Sequence, residues 1–150
     1  MNAHGELLGI ARRSRTRLPM EQLESAELSV ERGVEGDCHG VPGPRQVTII
    51  VEDGWRASNL ELGRELPWTM RRANLFVRGV DLSDSVGRFL RIGEALLEIT
   101  EANPPCHVMD IQYQGLRAAL KPEWRGGVAC RVINGARVQA GDRVGMLRKA

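Results

Sequence analysis

Apolar residues in this chain come in short runs broken by glycine and charge, and most runs carry the period of a strand. Residues 7–11 (Leu-Leu-Gly-Ile-Ala) predict a first strand. Residues 20–30 place Leu23, Ala26, Leu28 and Val30 in near alternation, open between an irregular strand and a loop. Residues 46–51 are rich in β-branched side chains and predict a strand. Asp53 is placed to cap a helix running to about Leu62, with Trp55, Leu60 and Leu62 turned partly inward. A short strand is expected at residues 74–77. Strands at 89–92 and 95–100 flank Gly93-Glu94, a hairpin turn of the Gly-X kind. A short helix is expected at 116–120. Residues 128–133 run into Asn134-Gly135, the strongest short hairpin signal, with a returning strand around Arg137-Val138. Ala140-Gly141-Asp142 then turns the chain into a last strand at 144–147. Many short strands and few helices make the fold mainly β. A barrel of mostly antiparallel strands, closed or nearly so, is the arrangement that removes exposed edges.

Length and composition narrow the picture. At 150 residues, with 42% hydrophobic and 27% charged residues, the chain reads as one ordinary domain over 1–150. A chain of this length folds without disulfide or metal. A net charge of +2 gives no reason to expect nucleic acid. No apolar run is long enough for a membrane-crossing helix. The basic residues are arginines except Lys121 and Lys149, which favours bidentate anion binding and leaves few amines for a Schiff base. Three cysteines (Cys38, Cys106, Cys130) and no secretory leader pattern predict reduced thiols in the cytoplasm.

Four stretches carry candidate chemistry. Gly33-Val-Glu-Gly-Asp37-Cys-His-Gly40, followed by Pro42-Gly-Pro-Arg45, is too rich in turn formers for a regular element. It reads either as a ligand loop with Arg45 supplying charge, or as a turn series in which Asp37 and His39 bind each other or cap backbone amides. Arg71-Arg72-Ala-Asn74 suits an anionic ligand or a solvated loop. Pro104-Pro105 removes two N–H donors and holds the chain extended before Cys106-His107, presenting a thiol at a strand end. The alternative is a small buried cysteine. Arg125-Gly-Gly-Val128 leads into a strand where Cys130 reads as packing. The two Cys-His dipeptides do not make a zinc knuckle, and phosphate-loop, dinucleotide and serine-elbow motifs are missing.

Taken in order, these stretches resemble the MOSC family, named for the C-terminal domain of molybdenum cofactor sulfurases. The resemblance rests on Gly33-Val-Glu-Gly-Asp37, Arg45-Gln-Val-Thr48, Arg72-Ala-Asn-Leu75 with Gly79-Val-Asp-Leu82, and Leu90-Arg-Ile-Gly93. It continues through Pro105-Cys106, Arg125-Gly-Gly-Val128 and Ala140-Gly-Asp142, spanning residues 6 to 148. It implies a MOSC-type β-barrel and puts the functional cysteine at Cys106, as sulfur acceptor or as molybdenum ligand. It implies molybdenum cofactor (molybdopterin) as the ligand, with Arg45, Arg72 and Arg125 holding its anionic part, Asn74 its polar edge, and Asp37 in the neighbouring loop. Cys38-His39 stand where relatives more often carry a basic or aromatic residue. The chain reads as a stand-alone member without the pyridoxal-phosphate desulfurase domain, and covalent pyridoxal phosphate is not expected. Three roles follow from the resemblance. The first is sulfur or cofactor handling with a cysteine desulfurase or molybdoenzyme partner. The second is molybdenum-dependent reduction of N-hydroxylated compounds with a redox partner. The third is non-catalytic cofactor delivery.

Overall fold

The computed structural model describes residues 4–147. In chain order its strands and helices are β1 Gly5–Arg12, β2 Glu21–Leu23, β3 Ser25–Ser29, β4 Gly33–Val34, β5 Val47–Val51 and α1 Glu52–Leu62. Then come β6 Leu75–Arg78, β7 Phe89–Ile92, β8 Ala95–Ala102, α2 Val108–Gln112, α3 Leu116–Leu120, β9 Val128–Asn134, β10 Ala136–Gln139 and β11 Arg143–Met146. Single 3-10 turns occupy Trp68–Arg71 and Pro122–Trp124.

Seven strands close into a ring. β1 pairs with β6, β6 with β5, β5 with β9, β9 with β8, β8 with β7, β7 with β11, and β11 returns to β1 through Gly5↔Val144 and Glu6↔Arg143. All these pairs are antiparallel except β5–β6, whose parallel pairing needs the α1 crossover. β2 extends the sheet beyond β1, and β10, β3 and β4 form a separate small sheet.

The ring encloses Leu7, Ile10, Ile49, Leu75, Leu97, Ile99, Val128 and Cys130, all fully buried. A second core lies outside it. Ile50 points the other way from Ile49 and meets Trp55 of α1, Met109 of α2, and Leu116 and Leu120 of α3. Covered on both faces, β5 reads as an apolar run broken only by Thr48 (Val47, Ile49, Ile50, Val51) and not as an alternating one. Among the described residues no helix is long and apolar enough to cross a membrane.

The mainly β barrel agrees with the sequence pattern, and three local expectations change. Leu60 is 83% exposed, because α1 turns Trp55, Ser58 and Asn59 inward instead. Asp53 does not cap α1. The cap position is Val51, and Asp53 lies in the first turn, where its charge favours the helix dipole. Asn134-Gly135 makes no hairpin: β9 pairs with β5 and β8, whereas β10 crosses to pair with β3. Gly135 is needed there for closeness. A Cβ on it would lie 2.4 Å from the Leu28 carbonyl oxygen.

Candidate functional site

A cleft of about 1090 Å³ opens where β1 and β8 end and β5 and β6 begin. Cys106, Arg45, Arg72, Asn74 and Asp37 all line it, and Cys106 is exposed.

The loop carrying Cys106 is fixed on both sides. Before it, the Asn103 N–H donates to the Gly127 carbonyl at 2.9 Å, and Pro105 is buried. Gly126 permits this contact, since a Cβ there would lie 2.6 Å from the Asn103 oxygen and 3.1 Å from Pro105 Cδ. Gly126 therefore serves packing of the cysteine loop, whereas Gly127 lies against β5, where a Cβ would meet the Ile49 carbonyl oxygen at 2.1 Å. After it, the Cys106 carbonyl accepts from the Met109 N–H at 3.0 Å, and the Met109 side chain is 2% exposed in the outer core. The thiol is held between two buried anchors and faces the cleft.

Arg71, which the sequence did not single out from its neighbour, lines the same cleft. Its side chain is only 6% exposed. Nε donates to the Gly126 carbonyl at 3.1 Å, and Nη2 donates to the same oxygen at 2.9 Å and to the Asn103 carbonyl at 2.8 Å. Nη1 has only the Met109 thioether, at 3.7 Å, a weak acceptor. Burial pushes the Arg71 pKa down to about 10, opposed by attraction to Cys106 and reinforced by repulsion from Arg45. It therefore stays charged at neutral pH.

Arg72 adopts left-handed backbone (φ 66°) and turns away from its neighbour. Its Nη2 donates to the Thr16 and Leu18 carbonyls at 3.2 and 3.0 Å, tying down the β1–β2 loop. That loop brings Arg13 and Arg17 to the cleft. Arg45 donates to Glu101 at 3.0 Å and to the Asn103 side-chain oxygen. Among the described residues, five arginines thus line the cleft against one carboxylate, Asp37. Asp37 is engaged with backbone, accepting from the Arg13 N–H at 3.0 Å and the His39 N–H at 3.3 Å. Asn74 is 5% exposed and joins three strands, accepting from the Thr48 N–H at 3.0 Å and donating to the Ala11 carbonyl at 3.2 Å.

Arg125 was expected with these residues, but the structure places it elsewhere. Its guanidinium bridges Glu61 of α1 at 2.7 Å and the Ala119 carbonyl of α3 at 2.9 Å, and it does not line the cleft. The reason is local: Arg125 Cα approaches Gly54 of α1, so its side chain runs along the helices. Cys38 is half-buried and outside the cleft lining. Cys130 is fully buried in the barrel, and burial pushes its thiol pKa well above the ordinary range. Among the described residues no three His, Cys, Asp or Glu side chains converge as a metal cage. The signal that could have found Arg71 is its place three residues after Trp68, on a turn where such positions share a face.

A closed β-barrel with an exposed thiol in an arginine-lined cleft defines the class of protein. The MOSC domain model matches residues 35–145, and the chain belongs to that family. YuaD from Bacillus subtilis has a similar structure, with a TM-score of 0.82 at 18% identity over 98% of this chain and 97% of that one. YiiM from Geobacillus stearothermophilus gives 0.78 at 12% identity, covering 96% and 75%. YiiM from Escherichia coli gives 0.71 at 17% identity, covering 97% and 71%. These identities speak for the fold. Among curated proteins, none matches the chain.

Proposed function

We propose that this protein handles sulfur, or a metal–sulfur centre, through Cys106 in a cleft that binds molybdenum cofactor. The observation that carries this reading is the meeting of an exposed thiol with an arginine-lined cleft. Family membership supports the choice of cofactor. The residues present fit such a ligand. The cleft's volume of about 1090 Å³ accommodates a molecule of pterin-phosphate size, and its five arginines suit a phosphate. Cys106 offers the soft thiolate that molybdenum takes. Arg13, Arg17, Arg45 and Arg72 would hold the anionic part. When bound, the cofactor supplies a redox-active metal centre. Arg125 has no part in this reading.

As a sulfur acceptor, the Cys106 thiolate attacks the outer sulfur of a donor persulfide. The donor's S–S bond breaks, and its electron pair leaves with the donor thiolate. Cys106 becomes the persulfide, and no net oxidant is needed. A cysteine desulfurase is the partner this step calls for, in a reduced compartment such as the cytoplasm.

The test has two arms. After reconstitution with molybdenum cofactor, Cys106→Ser is expected to retain less metal than the wild type by elemental analysis. After incubation with a cysteine desulfurase and cysteine, wild-type protein is expected to gain the mass of one sulfur on Cys106. Equal metal retention removes the ligand role, and sulfur found only on Cys38 or Cys130 removes the acceptor role.

A further inference from the structure

Arg71 is a buried cation without an acidic partner among the described residues. Its hydrogen bonds go to two main-chain carbonyls, and its Nη1 has only a thioether. A charge in such a place is costly unless an anion completes it. It lines the same cleft as Cys106, and the two attract each other. Packing of the Cys106 loop uses Nε and Nη2 and leaves Nη1 without a strong acceptor. A protein donor docking on the rim needs the exposed thiol and the exposed arginines, and has little use for a charge buried behind them. A small donor that enters the cleft would reach it.

Resting on the reading of Cys106 as a sulfur acceptor, we propose that Cys106 also takes sulfane sulfur directly from a small donor with an anionic leaving group. The class is the sulfane-sulfonates, of which thiosulfate is the simplest, and Arg71 receives the charge of the departing group. In this step the Cys106 thiolate attacks the outer sulfur of thiosulfate. The donor's S–S bond breaks, and its electron pair leaves on sulfite. Cys106 becomes a persulfide anion, and the total charge is unchanged. The leaving group carries its negative charge on oxygens, and Nη1 of a charged guanidinium, still without a strong acceptor, suits a sulfonate oxygen. Stabilising charge that grows on a leaving group, in a site already arranged for it, is where fixed donors contribute most.

The experiment uses the full chain and thiosulfate as the probe. Wild-type protein is expected to gain one sulfur on Cys106 by intact mass and to release an equal amount of sulfite. Sulfate is expected to compete with thiosulfate at Cys106, and not with the neutral reagent iodoacetamide. In Arg71→Met the thiosulfate rate is expected to fall about tenfold or more relative to the iodoacetamide rate at the same thiol. Arg71→Lys, which keeps the charge, is expected to recover part of that ratio. A purely structural Arg71 would change both reagents together and leave the ratio unmoved, which overturns the role given to it. If Arg71→Met fails to fold, the wild-type sulfate competition decides alone: inhibition supports anion capture, and its lack overturns it. If a desulfurase loads Cys106 and thiosulfate does not, this inference fails and the function above stands. If neither loads it, this inference and the acceptor reading of Cys106 both fail.

Discussion

Cys130 and Cys106 are the same side chain in opposite surroundings. Cys130 sits in β9 opposite Val47 and Ile99, sealed among aliphatic side chains inside the ring. Nothing nearby favours its thiolate, and burial disfavours it. Cys106 stands just outside the ring, on a loop anchored by Pro105 and Met109, in a cleft that the buried Arg71 guanidinium also lines. The difference comes from position relative to the barrel wall. A strand residue inside the wall can only pack, whereas a residue just past a strand end is held by the wall without being covered by it.

The largest effect expected from this contrast is chemical. In native protein, iodoacetamide is expected to label Cys106 at least about a hundredfold faster than Cys130, because Cys130 must wait for the barrel to open. Peptide mapping after timed labelling measures it, and comparable rates would break the comparison. The next effect tests how the thiol is held. Gly126→Ala presses a methyl group against the Asn103 carbonyl and is expected to cost about 2–3 kcal/mol in a urea melt. It should also change the Cys106 labelling rate, whereas a stability loss without any rate change would show that the loop is not held by this contact. Third, Cys130→Ser puts a hydroxyl in the apolar ring and is expected to cost about 1–2 kcal/mol, against less than about 0.5 for Cys106→Ser. Thermal or urea melts of the two variants measure the difference, and equal losses would remove it.

The smallest effect within the working range is that of pH. Arg71 has its pKa lowered to about 10, so the cation persists below that value and is lost as pH rises through it. Sulfate protection against thiosulfate is therefore expected to hold with little change up to about pH 9 and to weaken above about pH 10. Competition assays across that range, with melts to confirm folding, test the sign. Weakening already near neutral pH would assign the anion site to another group.

Much of the barrel was legible because its strands carry β-branched alternation and end at glycine turns. The β7–β8 hairpin at Gly93 is an example. Gly135 misled because a glycine after asparagine signals a tight turn, whereas here it answers a close approach between two sheets. Helix α2 left no trace, since five residues after two prolines cannot show a helical period. At the site, the thiol, Arg45, Arg72, Asn74 and Asp37 were found through motif order and do line one cleft. Which of two adjacent arginines turns inward was not legible, because that depends on the left-handed residue ending the 3-10 turn. Arg125 illustrates the complementary limit. A charged residue beside a glycine pair looks like a ligand loop, but its partner Glu61 lies on a helix far away in sequence.

The pairing of β1 with β11 has a consequence for how the molecule is made. β1 leaves the ribosome long before β11, and finds its closing partner only when that strand has followed it. Until then β7 has a bare edge, and so does the part of β1 that β2 does not cover, each able to recruit a strand from another molecule. Closure also joins strands far apart in sequence, which makes for slow folding, in milliseconds to seconds. The short pairing of β1 with β11, in the register Gly5↔Val144 and Glu6↔Arg143, therefore acts as the latch of the whole fold, and stalled chains are expected to aggregate rather than to form a smaller barrel.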